Sequence, residues 1–136
     1  MALFDIFFSF LTKQLCLEAF GYVEIWFKVI KTNDLLLPTN FDIDFFCKGC
    51  EIVIEADHFA QLYRLLTLLY SYSELFDGMI RTKLFGEMLL KKFFFKLFLH
   101  WDDNVRNTYQ QIIVFKVNKC EKLRIWGHLP VLKKCV

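Results

Sequence analysis

"KKFFFKLFLHWDDNVRN", residues 91–107, packs three lysines among four phenylalanines, then a His-Trp pair, two acids and an arginine. Its reading decides the fold, because such a segment lies on a lipid surface, holds a chemical site or fills a protein core. Placed on a helix at 100° per residue, Phe93, Phe94, Leu97 and Phe98 cover an arc of about 140°. Lys92 and Lys96 sit opposite, and Lys91, Phe95 and Leu99 lie between the two. That pattern suits a core helix with a narrow wet edge. It also suits a short basic helix on an anionic membrane, held by Lys91, Lys92 and Lys96, which would need an accessible apolar face. The core reading needs only neighbouring amphipathic helices, and the rest of the sequence supplies them.

Working outward, helical periodicity dominates and no alternating run reads as a strand. Leu3 to Leu17 is apolar on most sides and predicts a buried helix. Glu18 to Thr32 predicts a second, with Phe20, Val23, Phe27 and Ile30 on one side and Glu24, Lys28 and Lys31 on the other. "NDLLLPTN" reads as a loop holding a buried Leu cluster. Pro38 cannot donate to a helix, and Asn33 and Asp34 terminate the one before.

Thr39 with Asp42 resembles a capping box opening a helix from Phe41 to about Glu55, with Phe45, Phe46, Ile52 and Val53 inward. Asp57 reads as the N-cap of the next helix. That helix is "HFAQLYRLLTLLYSY", with Leu62, Leu65, Leu66, Leu69 and Tyr70 as its stripe. Asp77-Gly78 predicts a turn. From Met79 onward one straight helix cannot serve both Glu87 and the Phe94/Phe98 face. The wheel therefore predicts a break between Leu90 and Phe93, giving helices of about Met79–Leu90 and Lys92–Leu99. Asp102, Asp103 and Asn104 offer caps for a last helix with Val105, Tyr109, Ile112, Ile113 and Val117 on one face. Arg106, Gln110 and Lys116 tend to the other.

The expected fold is all-α: antiparallel helix pairs forming an α-solenoid-like, armadillo- or HEAT-like segment, or an irregular bundle. No clean self-similarity at a fixed period names a repeat. Residues 1–118 read as one helical domain, and 119–136 as an irregular tail.

Composition narrows the function classes. The 136 residues are the size of one domain, 56% are apolar and 17 are Phe. So many large apolar groups on so small a chain point to a protein partner or a neighbouring repeat. A net charge of +2 gives no footprint for nucleic acid. No uncharged run approaches the ~18 residues of a transmembrane helix. The N-terminus lacks the basic region of a secretion signal. The five cysteines therefore read as reduced thiols in the cytoplasm or nucleus, with the cytoplasm preferred. The closing "KKCV" matches a dilysine retrieval pattern by chance, and Cys135 lies too near the end for prenylation.

Cys47-Lys48-Gly49-Cys50 alone has a metal or redox spacing, yet it falls within a helix and lacks a second ligand pair. Two core thiols account for it, and no metal or other cofactor is expected. Asp42 with Asp44, and Asp102 with Asp103, read as helix caps. No nucleotide-binding, zinc-protease or serine-hydrolase motif occurs, and no nucleophile stands beside a base, so the chain reads as non-enzymatic. His100 and Trp101 read as an anchor at a helix end, where Trp packs and a ring nitrogen finds a backbone partner.

"FFKLFLHWDDNVRNTY", preceded by "LLTLLYSYSELFDGMIRTKLFGEMLL" and "FDIDFF", resembles the signature end of domain of unknown function 1765, found in large, mostly fungal and protist proteins. The similarity covers about residues 20–117. Its structural positions here are Phe94, Phe98, His100, Trp101, Val105 and Arg106. The resemblance implies one helical segment of a longer scaffold-like protein, or a truncated copy. It brings no catalytic residue. The functional expectation is a non-enzymatic scaffold or protein-interaction module, with a peripheral membrane module built on residues 91–100 as the alternative.

Overall fold

The computed structural model describes the backbone of residues 2–117 and the side chains from 14 to 117. The fold is all-α, and no strand occurs among these residues. The tail expected at 119–136, with Cys120, Cys135 and the closing dilysine, lies outside the described residues.

Helix α1 runs from Ala2 to Thr32 without interruption. The sequence had suggested two helices meeting at Leu17–Glu18. From Gln14 to Lys31, however, there is no Ser, Thr, Asp, Asn or Pro to cap or break a helix. It ends at Asp34, in the left-handed region at φ 53°. There Asp34 N–H donates to Lys31 C=O and Leu35 N–H to Ile30 C=O, the paired bonds of a Schellman cap. The loop that follows leaves Leu35 and Leu36 exposed, and only Leu37 turns inward. The expected buried Leu cluster does not form.

Helix α2 spans Ile43–Ala56. Asp42 is its N-cap and accepts from Phe45 N–H at 3.0 Å, so the cap is Asp42 and not Thr39. Its buried face is Ile43, Cys50, Val53 and Ile54, with Phe46 half-buried. Phe45 and Ile52 are exposed, against expectation. They lie about half a turn round the helix from Ile43, Cys50 and Ile54 and cannot share their face. Asp57 closes α2 in the left-handed region, at φ 56°. It is a C-cap, where an N-cap for the next helix had been expected. The position before α3 (Phe59–Ser71) is His58, which makes no side-chain cap bond.

After a short 3-10 turn at Ser73–Leu75, Gly78 takes φ 58°, where a Cβ would be strained, and Asp77 caps α4 (Gly78–Arg81). This runs directly into a π-helical stretch, Thr82–Lys92. Its wider turn keeps Leu84, Phe85, Met88, Leu89 and Leu90 inward and leaves Glu87 exposed. Phe93, at φ −118° and ψ 17°, then breaks the helix where the wheel required it. Helix α5 is Phe94–Phe98, and α6 is Asp103–Gln111, continuing as π-helix to Val117. On α5, Phe94 and Leu97 are buried and Phe98 half-buried. The opening stretch therefore fills a core.

Long-range polar pairs fix how the layers lie. Glu24 meets Arg64 at 3.1 Å, and Lys31 Nζ donates to Ser71 C=O at 3.0 Å, so α1 and α3 run parallel. Asp44 meets Lys83 at 3.2 Å and Glu51 meets Lys92 at 3.1 Å, so α2 runs parallel to the π stretch. Phe59 against Trp101 and Tyr70 under Lys116 set α6 parallel to α3. Between the layers sits an aromatic cluster. Phe27 touches Phe46, Tyr72 and Phe76, and Phe76 also meets Phe41 and Phe85.

Burial of protonatable groups in this core sets a pH response. Burial, then Asp44 and Glu51, push the Cys47 thiol up to about 11. Burial raises Cys50 further, with Cys47 and Glu51 adding to it, and burial alone raises the Tyr109 phenol. In the unfolded chain thiols ionise near ~8.5 and phenols near ~10. Above those values the unfolded state sheds protons that the fold retains, so stability falls as pH rises from about 8.5 through about 11. Urea midpoints at stepped alkaline pH should decline, and Cys47→Ala should flatten the decline. A midpoint constant from pH 8 to 11 refutes this.

Candidate functional site

Among the described residues, the most connected polar cluster joins the α2–α3 turn to the segment between α5 and α6. Helix α5 closes at its C-cap Leu99, whose N–H donates to Phe95 C=O at 3.2 Å, and the chain turns out there. His100 N–H reaches Leu97 C=O at 3.4 Å, which folds the imidazole back to 4% exposure. Its Nδ1 accepts from Asp102 N–H at 3.1 Å, so the ring proton resides on Nε2. Nε2 donates to Asp57 Oδ1 at 2.7 Å. Asp57 reaches it because its left-handed backbone swings the carboxylate across the turn. Both ring nitrogens are engaged, and neither is left to act as a general base.

The rest of the segment supports that latch. Asp102 caps α6, accepting from Val105 N–H at 3.0 Å. Arg106 donates from Nη1 to His100 C=O at 3.1 Å and from Nη2 to Asp103. Trp101 is exposed, although a packed anchor had been expected. It stacks on His100 at 5.5 Å and meets the edge of Phe59 at 5.9 Å, lying over the latch as a lid. Phe94 stacks on Phe98 at 5.1 Å and meets Tyr109 at 6.4 Å, while Val105 is fully buried. All six signature positions thus border the junction of α5 and α6. Asp57, its partner from 43 residues upstream, was missed. Its apparent N-cap position concealed a second use.

His100→Ala removes a buried donor–acceptor pair and leaves the Asp102 N–H without its acceptor. The expected cost is about 2–3 kcal/mol, read from urea denaturation followed by circular dichroism. Asp57→Asn keeps an acceptor and should cost less.

The other candidates are arranged differently. Lys92 pairs with Glu51, and Lys91 and Lys96 are exposed. The apolar face that a lipid surface would need from α5 is turned inward. Cys47 and Cys50 share the inner side of α2. Cys47 is half-buried on a cleft of about 330 Å³ also lined by Asp44, Glu51, Lys83 and Glu87, and Cys50 lies in the core. No group of three or more His, Cys, Asp or Glu suited to a metal ion occurs among the described residues. No helix among them is long and apolar enough to cross a membrane.

The family model described as Protein of unknown function (DUF1765) matches residues 3–117. The chain belongs to that family. No curated protein and no solved structure matches it. The DUF1765 match runs from α1 to the end of the π stretch after α6. It takes in every helix described and both halves of the Asp57–His100 latch, so the latch lies wholly inside the DUF1765 region.

Proposed function

We propose that the chain is a non-enzymatic, cytoplasmic helical scaffold that works by binding protein. One observation carries the reading: the long-range pairs recur at one stagger. Glu24–Arg64, Lys31–Ser71, Asp44–Lys83, Glu51–Lys92, Asp57–His100 and Phe59–Trp101 all join residues about forty apart. The core stripes repeat at a similar step. Phe20, Val23 and Phe27 stand to Leu62, Leu65 and Leu69 as Leu62, Leu66 and Leu69 stand to Val105, Tyr109 and Ile112. A unit of about 40–47 residues built from a helix pair is the HEAT or armadillo period, and such stacks serve as extended binding surfaces.

The engaged nitrogens of His100 and the raised thiols of Cys47 and Cys50 support a structural role for the groups that could otherwise do chemistry. Protein partners therefore fit better than a substrate or cofactor. The alternative is lipid binding through Lys91, Lys92 and Lys96, with the exposed Phe95 and Leu99 beside them.

Co-sedimentation with anionic vesicles and affinity capture with the folded chain as bait separate the two. The scaffold reading expects no vesicle binding. It also expects capture of a protein partner that survives charge reversal of Lys91, Lys92 and Lys96. Salt-sensitive vesicle binding abolished by those reversals overturns it.

A further inference from the structure

Helix α1 is apolar on two sides. One side, Phe20, Val23, Phe27 and Ile30, packs on the layers described above. The other is bare: Leu15 is 52% exposed, Tyr22 73%, Ile25 63% and Val29 51%. These four fall within about 80° on the helix wheel, with Glu18 among them and Lys28 at their flank.

We propose that two copies of the chain associate through these outer faces, their α1 helices antiparallel about a two-fold axis near Tyr22 and Val23. The reading rests on the helix-stacking one above, since it treats this face as one more layer contact.

The face is complementary to itself only in that orientation. With the axis near Tyr22 and Val23, Glu18 of one copy lies level with Lys28 of the other, to within about one residue rise of 1.5 Å. Neither has an ion-pair partner among the described residues. By the same symmetry Leu15 faces Val29, and the small Ala19 faces the half-exposed Trp26. Ile25 comes over Gly21. A glycine in mid-helix costs stability relative to alanine, so its presence calls for a reason. Among the described residues there is none, because a Cβ built on Gly21 meets nothing within 4 Å. The close approach of a second helix supplies one. A parallel pairing would set Glu18 against Glu18 and Lys28 against Lys28, and would align the two macrodipoles. The antiparallel pairing opposes the macrodipoles. The contact uses the same patch on both copies and closes on itself as a dimer.

Sedimentation equilibrium of the full chain across a range of concentrations tests it. A dimer is expected. Glu18→Lys and Lys28→Glu should each weaken dimerisation, by about tenfold or more, since each sets like charges opposite one another. The double reversal Glu18→Lys with Lys28→Glu should restore it. All these positions are on the surface, and circular dichroism should show unchanged helicity. A wild type that stays monomeric overturns the proposal, as do open-ended oligomers or a double reversal that stays weak. The scaffold reading is judged separately: a monomer that still captures a protein partner ends this proposal and leaves that reading intact.

Discussion

Replacing Arg81 by methionine should destabilise the fold by about 3–5 kcal/mol, because it strips three backbone carbonyls of a charged donor. Arg81 is 8% exposed, and its guanidinium is bound by backbone oxygens. Nη1 donates to Ser73 C=O and Phe76 C=O, and Nη2 donates to Lys116 C=O. The plane also lies 5.0 Å from the centre of the Phe85 ring. One side chain thereby ties the turn after α3 to the end of the last helix. Methionine fills similar space but leaves those carbonyls unmatched, each costing about 1–3 kcal/mol if it stays dry. Lysine should not rescue, since a point charge on a flexible stem cannot reproduce the planar fork. Urea unfolding by circular dichroism measures both variants. A loss under about 1 kcal/mol for Arg81→Met would show that water replaces the clamp.

The second large effect belongs to Tyr109. It is fully buried, and its hydroxyl donates to Leu89 C=O at 2.7 Å, one turn before the break at Phe93. Tyr109→Ala opens a cavity beside Phe94 and should cost about 3–5 kcal/mol. Tyr109→Phe keeps the packing and removes only the hydrogen bond, for about 1–2 kcal/mol. The gap between the two variants separates ring from hydroxyl. Equal losses would mean that the hydroxyl, and not the ring, holds α6 against the π stretch.

Much of this was legible in the residues. The stripes Phe20–Ile30, Leu62–Leu69 and Val105–Val117 each bury the side that their three-and-four spacing requires. The conflict between Glu87 and Phe94 located the break at Phe93. What failed did so for local reasons. Phe45 and Ile52 look like core residues by type, but α2 turns them away from Ile43 and Ile54. Asp57 was a good N-cap by type, but its left-handed backbone serves His100, a residue 43 positions on that no local rule connects to it. The stagger of about forty residues was hidden as well. It joins residues of different type, such as Glu24 with Arg64 and Phe59 with Trp101, that no local rule connects. Trp101 was misread because its ring covers a polar latch from outside instead of entering the core.

The order of the layers also governs how the chain comes to be folded. Helix α3 stands between α1 and α6, and the connections that matter reach about forty residues back along the chain. As the polypeptide emerges during synthesis, the partners that cover the inner side of α1, namely α2, α3 and the turn at Tyr72–Phe76, all precede Val105 in the chain. Closing the remaining layer then means adding α6 to a surface already formed, a search far shorter than one spanning the whole chain.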